Sequence, residues 1–242
     1  MSPRTDPAVP LGDLEARWLG RVDYDDAHAL QKRLVTERAA GAIPDQLLLL
    51  EHPSVLTLGR HSDPAHILAS PQDLARRGVA VHRVERGGEV TYHGPGQLVA
   101  YPILAIAERG LLLRPLVRAL EAALVATCAS FGVVADRRDG HPGCWCDAQG
   151  ALPRKIGALG LRVERCISYH GIALNVSVAL ADFGLIDPCG MPDVVSTSID
   201  AERLGANGPL PGPSTASVER AARVFAPAFA EAIGAGLTWP EA

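Results

Sequence analysis

Asp187-Pro188-Cys189-Gly190-Met191-Pro192 sets a cysteine between a proline and a glycine. A thiol in such a tight turn, rather than on an apolar helix face, is placed for the exposure that sulfur reactivity requires. Upstream, Arg154-Lys155-Ile156-Gly157-Ala158-Leu159-Gly160 places a lysine at the entry to an otherwise apolar stretch. A partly buried lysine titrates low and can act as a base. If it stays protonated beside a thiol, it favours the thiolate instead. Either role makes Cys189 and Lys155 a pair competent for acyl transfer. The plain alternative for Lys155 is a solvated charge at the end of a strand.

The most unusual segment is Arg86-Gly87-Gly88-Glu89-Val90-Thr91-Tyr92-His93-Gly94-Pro95-Gly96-Gln97. Its glycines let backbone approach a ligand closely, and the polar residues between them could line a cleft. An ordinary glycine-rich hairpin accounts for the same residues. The segment is not a phosphate loop, because the G-x-x-x-x-G-K-[ST] spacing is absent. Thr91-Tyr92-His93-Gly94 is echoed by Ser168-Tyr169-His170-Gly171, so two histidines could face one cleft; a chance four-residue match is the alternative. Cys144-Trp145-Cys146 has no second pair and no histidine cluster at zinc spacing, so no metal is expected there. On a strand those two thiols share a face and pack in the core. Cys128 falls on a helix face and reads as core, and Cys166 lies in or near a hairpin turn.

The elements that must position these residues alternate irregularly. Strands are predicted at 14–19, 46–51, 55–58, 79–84, 97–103, 133–135, 144–147, 156–163 and 167–176. The short link His52-Pro53-Ser54 suits antiparallel pairing of the strands on either side of it. Helices are predicted at 24–40, with Asp23 as N-cap and Gly41 as stop, and from Ser70-Pro71 onward. Further helices are predicted at 114–131, ended by Gly132, and at 217–233, where Pro227 should kink or break the helix. Residues 205–214 read as a mobile surface loop. The pattern points to α+β: a single domain over 13–235 with a mainly antiparallel sheet flanked by helices, and tails at 1–12 and 236–242.

The chain has 242 residues, 48% hydrophobic and 21% charged, with a net charge of −4. That composition is globular and argues against nucleic acid as the main partner. The longest apolar run, 98–107, contains Pro102 and is too short to span a bilayer. No signal core opens the chain, and five scattered cysteines do not suggest a disulfide framework, so a cytoplasmic location is expected.

Residues 86–99 resemble the signature of the octanoyltransferases of lipoate biosynthesis, Arg-Gly-Gly-x-Val-Thr-Tyr-His-Gly-Pro-Gly-Gln-Leu-Val. The segments around Lys155 to Gly160, His170 to Asn175 and Pro188-Cys189-Gly190 are similar to that family's in the same order. The resemblance implies a fold shared with biotin and lipoate ligases. It implies transfer of an octanoyl group from octanoyl-acyl carrier protein to a lysine of a lipoyl domain, through a thioester on Cys189 with Lys155 as activator. The acceptors would be the lipoyl domains of 2-oxoacid dehydrogenase complexes and the glycine cleavage H protein. Arg86, Gly87, Gly88, Glu89, Val90, Thr91, Tyr92, His93, Ala158, Leu159, Gly160, His170, Gly171, Ile172 and Ala173 would line the acyl pocket. No cofactor or metal is implied, since the thioester is already activated, and a monomer is expected. The alternatives are an adenylating lipoate or biotin ligase and a non-catalytic carrier-binding module. The first calls for a nucleotide loop rich in glycine and arginine, whereas the loop at 86–97 holds one arginine.

Overall fold

The computed structural model describes residues 12–60, 62–187, 194–207 and 215–240. Cys189 lies outside the described residues, as do 1–11 of the N-terminal tail and 208–214 of the expected loop. Strand β1 (Leu14–Arg21) leads into helix α1 (Tyr24–Ala39), then β2 (Asp45–Glu51) and β3 (Val55–Leu58). A short 3-10 turn (Pro64–His66), α2 (Pro71–Arg77), β4 (Ala80–Arg83), β5 (Val90–His93) and β6 (Gln97–Ile103) follow. The long helix α3 (Leu113–Ser130) precedes β7 (Asp136–Arg138), β8 (His141–Cys146), β9 (Arg154–Glu164) and β10 (Ile167–Asn175). After a second 3-10 segment (Leu180–Leu185) come β11 (Val195–Ser196), α4 (Ile199–Asn207), α5 (Thr215–Ala232) and β12 (Leu237–Thr238).

The main sheet runs β12-β1-β2-β6-β10-β9-β8-β7, with β11 alongside β9. Its central and far pairs are antiparallel, while β1 is parallel to β2 and β12, and β11 to β9. A second sheet has the order β4-β3-β5. The α+β architecture with a mainly antiparallel sheet is therefore as the sequence predicts. Strand alternation decides what each face meets. Leu47, Leu49, Leu98, Ala100, Ile172 and Leu174 form one core with Leu116, Leu120 and Leu124 of α3 and Phe225 and Phe229 of α5. Leu48, Leu50, Val99, Tyr101 and Tyr169 form another with Ala27, Leu34 and Val35 of α1.

Several local expectations change. Strands β2 and β3 do not pair; they belong to different sheets. His52 is fully buried at the junction, its ring bonded to Val22 O at 2.7 Å and to the Tyr101 hydroxyl at 2.8 Å, so the link redirects the chain instead of reversing it. Residues 133–135 are not a strand, because the Val133 amide is used to cap α3 at Cys128 O (3.0 Å). Ser70 caps α2 through the Asp73 amide as expected, but Asp23, although at the N-cap of α1, makes no side-chain cap bond. Residues 205–207 end a helix the sequence does not suggest: Ser198 Oγ accepts the Ala201 amide at 3.1 Å, and Ile199 is fully buried, which anchors α4. Helix α5 continues through Pro227. An interior proline costs about 3 kcal/mol. Burial of Phe225 and Phe229 on either side offsets it, at about 1.5–3 kcal/mol for each large apolar side chain. Beyond α5, Leu237 and Thr238 pair with Leu14 and Glu15, so part of the expected C-terminal tail is a strand.

One buried ion cluster fastens the start of β2 to α1 and to the segment after β6. Asp45 is 3% exposed, and its carboxylate accepts from Arg38 Nε at 2.6 Å, from Arg109 Nε and from the Ala105 amide at 2.9 Å. Removing the anion takes the carboxylate from Arg109, whose side chain is 3% exposed, while Arg38 keeps Glu108. Asp45→Ala should therefore lower unfolding free energy by about 3–5 kcal/mol, measured by urea denaturation followed by circular dichroism.

Candidate active site

A cleft of about 520 Å³, counting its open mouth, lies between β9–β10 of the main sheet and the segment that enters β5. Its floor is made of small residues set side by side: Ala158 pairs in register with Ala173, and Gly160 with Gly171. A Cβ on Gly160 would sit 2.7 Å from Gly87 O, so glycine here permits the close approach of the two backbones. The Gly87 amide completes the approach by donating to Leu161 O at 3.0 Å. Leu159 and Ile172 also border the cleft, and Gly88, Glu89, Val90, Thr91 and His93 form the facing wall.

Arg86 crosses this seam buried, at 7% exposure. Its Nε and Nη2 donate to Thr57 Oγ1 at 3.1 and 2.8 Å, Nη2 also to Thr57 O, and Nη1 to Gly87 O at 3.0 Å. The guanidinium therefore fixes the glycine loop to β3 as well as bordering the cleft. Two expected lining residues sit elsewhere. Gly87 uses its backbone to lace the seam and faces a neighbouring groove. Tyr92 points to the opposite side of β5, because alternation sends Thr91 and His93 one way and Tyr92 the other. Its hydroxyl donates to Asp182 Oδ2 at 2.9 Å and its ring meets Phe183 edge-on. Tyr24 and Tyr101, which the sequence reading omitted, line the cleft instead. Nothing in the sequence marks Tyr24, which opens α1, and Tyr101 is hidden in the apolar run of β6.

The two echoed histidines do meet the same cleft. His170 adopts a left-handed backbone (φ 53°) inside β10, which turns its ring beside that of Tyr169, with centroids 4.9 Å apart. Its amide donates to Gln31 Oε1 at 2.8 Å. A non-glycine residue held there inside a strand is strained and needs its surroundings to hold it. Burial pushes His170 and His93 down to about 3, and His52 down to about 4, so all three rings are neutral near pH 7. His52 therefore donates from Nδ1 to Val22 O and accepts the Tyr101 hydroxyl at Nε2. His93 donates from Nδ1 to Gln97 Oε1 at 2.7 Å, since the Gln97 amide group is spent on Tyr92 O and Asn175 Oδ1.

Lys155 stands half-buried where this cleft meets a second one of about 400 Å³, which it shares with Asn175, Val194 and Ser196. Its ammonium lies 5.2 Å from the centroid of the Trp145 ring, an attractive cation–π distance. Its carbonyl accepts the Thr197 amide at 2.9 Å. The other thiols are poorly suited to nucleophilic work. Cys128, Cys144 and Cys146 are buried in the core. A hydrogen bond with Cys128 and burial push the Cys144 thiol up, and burial with the Glu202 carboxylate pushes Cys146 up to about 12. Cys166 is exposed in the β9–β10 turn. Among the described residues, His28, Glu85 and His170 bring possible metal-ligand atoms within 4.8 Å of one another. The Glu85 carboxylate there is already engaged by His28, Lys32 and Tyr169.

The architecture is that of the catalytic domains of lipoate ligases. The solved bipartite lipoate protein ligase of Thermoplasma acidophilum superposes with a TM-score of 0.61 at 13% identity, over 95% of this chain and 87% of that one. A lipoate-protein ligase A bound with ATP gives 0.60 at 14% identity, over 95% and 88%. These likenesses speak for the fold. The sequence model of the lipoyl protein ligase A/B catalytic domain matches residues 23–204. The octanoyltransferase of Acidobacterium capsulatum is 50% identical over 192 residues, 76% of this chain and 78% of its own. That of Syntrophobacter fumaroxidans is 47% identical over 181 residues, 75% of this chain and 77% of its own. The chain belongs to the lipoyl protein ligase A/B catalytic-domain family and, within it, to the octanoyltransferases. Among the described residues, no helix is long and apolar enough to cross a membrane.

The neutral histidines link stability to pH. In the unfolded chain each ring takes up a proton near pH 6.5. In the fold His52 resists until about 4 and His93 and His170 until about 3. Across that window the unfolded state binds more protons, so stability present at pH 7 is lost as pH falls from about 6.5 toward 4, by about 1.4 kcal/mol per pH unit for each ring. Burial raises the Glu85 carboxyl, but its own backbone amide and the Tyr169 hydroxyl outweigh this and bring it down to about 2, which adds a further loss below about 4.5. Melting temperature followed by circular dichroism should fall steadily between pH 6.5 and 4.5. A flat profile would contradict neutral burial of the rings.

Proposed function

We propose that this octanoyltransferase moves an octanoyl group from octanoyl-acyl carrier protein to a lysine on a lipoyl domain through a thioester on Cys189. The observation that carries this reading is the position of Lys155. It stands at the junction of the cleft floored by small residues and a second cleft bordered by Val194, five residues beyond Cys189. In the first step the Cys189 thiolate attacks the thioester carbonyl, a new carbon–sulfur bond forms, and the carrier thiol departs. In the second, the acceptor amine attacks, a carbon–nitrogen bond forms, and the Cys189 thiolate leaves. Lys155 takes the thiol proton before the first step and the amine proton in the second, with the carrier thiol carrying a proton away between them.

The acyl chain would lie over Ala158, Gly160, Gly171 and Ala173, under the wall of Arg86, Gly88, Glu89, Val90, Thr91 and His93. Acceptors would be the lipoyl domains of 2-oxoacid dehydrogenase complexes and the glycine cleavage H protein, met in the cytoplasm. Residues 13–235 would form the catalytic unit. Because the donor is already a thioester, transfer would proceed without ATP.

Incubation with octanoyl-acyl carrier protein should add one octanoyl mass to the intact protein, read by mass spectrometry and mapped to Cys189. Cys189→Ser should abolish the thioester. Lys155→Ala should slow transfer by roughly a hundredfold to ten-thousandfold, the usual worth of a placed general base. An adduct on Cys144 or Cys166, or a requirement for ATP, would sink the reading.

A further inference from the structure

Every polar group of Thr197 is committed to a different partner. Its amide donates to Lys155 O at 2.9 Å, its carbonyl accepts from Asn175 Nδ2 at 2.8 Å, and its hydroxyl donates to Glu202 Oε1 at 2.7 Å. Glu202 in turn takes both arms of Arg154, Nε at 2.8 Å and Nη2 at 2.9 Å. Asn175 Oδ1 accepts from Gln97 Nε2 at 2.9 Å, and Gln97 Oε1 accepts from His93 at 2.7 Å. Thr197 is 4% exposed, Gln97 2% and Asn175 6%. An unbroken line of hydrogen bonds thus runs from the cleft wall at His93 to the backbone of Lys155, buried as far as Thr197, and continues part-buried through Glu202 to Arg154. It gathers β5, β6, β10, β9, β11 and the first turn of α4.

We propose that Thr197, supported by Asn175 and Glu202, is a positioning residue for acyl transfer: it sets Lys155 against the chain segment that follows Cys189. This inference rests on the Cys189–Lys155 reading above. The argument is one of connectivity. Ser196 pairs with Lys155 and Val195 with Arg154, and this parallel pair is only two residues long. So short a ladder does not hold a segment on its own. The side-chain bonds of Thr197, Asn175 and Glu202 supply what the ladder lacks. They also fix register, since the Thr197 amide and carbonyl face opposite neighbours, β9 and β10. A buried network of this kind specifies one arrangement when every member is satisfied, and loses it when one member is removed. The reacting pair is sensitive to such loss, because small misplacements of positioned groups cost rate rather than binding.

The test compares Thr197→Val, which keeps shape and backbone bonds but removes the hydroxyl, with Thr197→Ser, which restores it. Glu202→Gln serves as a second variant that preserves volume while weakening the Arg154 pair, in case the first fails to fold. The measurements are the single-turnover rate of Cys189 acylation by octanoyl-acyl carrier protein, KM for that donor, and the pH profile of Cys189 alkylation by iodoacetamide. Thr197→Val should acylate about tenfold more slowly, in line with a lost hydrogen bond to a charged group, with KM changed less than about twofold. Its alkylation profile should move to higher pH, because the thiolate loses the support of the lysine. Thr197→Ser should return both to near the wild-type values, and Glu202→Gln should share the slow phenotype. Wild-type rates and profiles in the valine and glutamine variants would overturn the proposal, as would a serine variant no better than the valine one. Absence of an adduct in the wild-type protein would instead overturn the thioester reading itself, so the two failures are told apart.

Discussion

The cleft depends on one seam, where the glycine loop before β5 lies directly on β9. Two sheets that twist independently would not hold a narrow gap between them. Here the Arg86 guanidinium is tied to both the hydroxyl and the carbonyl of Thr57, and the Gly87 amide to Leu161 O, so loop, small sheet and main sheet are bonded together at this point. Gly160 makes the contact possible, since any side chain would meet Gly87 O. Burying a cation is expensive unless its donors are satisfied. Arg86 meets that condition largely with neutral oxygens of β3 and its own loop. The wall of the cleft is thus held by a bonding pattern that needs arginine's planar array of donors, which a lysine would not reproduce.

A second constraint shapes the interior of the same cleft. Tyr24, His52, His93, Tyr101 and His170 gather at the α1 end, with ring contacts between 5.2 and 6.5 Å. Neutral imidazoles pack and hydrogen-bond without a counter-ion, so this polar cluster can be buried at acceptable cost. Each defined tautomer aims a lone pair or a proton in one direction only, which makes the surroundings of the cleft stiff. The strained backbone at His170 persists because Gln31, the Tyr169 ring and the Tyr101 ring hold it from several sides.

Much of this was legible in the sequence, and the rest was hidden for identifiable reasons. The helix at α3 reads directly from Leu116, Leu120, Leu124 and Cys128, and the cap at Ser70 from its own residue types. Ala158, Gly160, Gly171 and Ala173 were found through the family-like segments around them, and strand register then placed them opposite one another. Tyr92 was misplaced because a contiguous motif does not say which of its alternating residues faces inward. The length of the β2–β3 link fits a hairpin; the anchoring of His52 by Val22 and Tyr101 is a long-range event that local spacing does not encode. Helix α4 was missed because its stability comes from Ile199 in the core and from Glu202 on Arg154, again contacts distant in sequence. Tyr24 and Tyr101 carry no sequence signal, because a tyrosine at a helix start or in an apolar strand looks like packing until tertiary structure turns it toward a cavity.

Under the proposed function, the position of Lys155 suits a transfer in two steps. Its side chain borders the first cleft, the second cleft beside β11, and a groove formed with Leu113, Val117 and Pro142. A residue that only activated a thiol could sit at the closed end of one pocket. A residue that also takes a proton from an incoming amine must remain reachable while the acyl chain stays in place, so its group has to stand where separate openings converge. Contact with the Trp145 ring on one side and the Thr197 amide at its carbonyl hold the lysine at that junction without closing it. In the proposed cycle the acyl chain keeps one opening while donor and acceptor exchange through the others. In that cycle the half-buried setting of Lys155 would answer a requirement of the chemistry: deep enough to be shielded from bulk water, and open enough to meet two partners in turn.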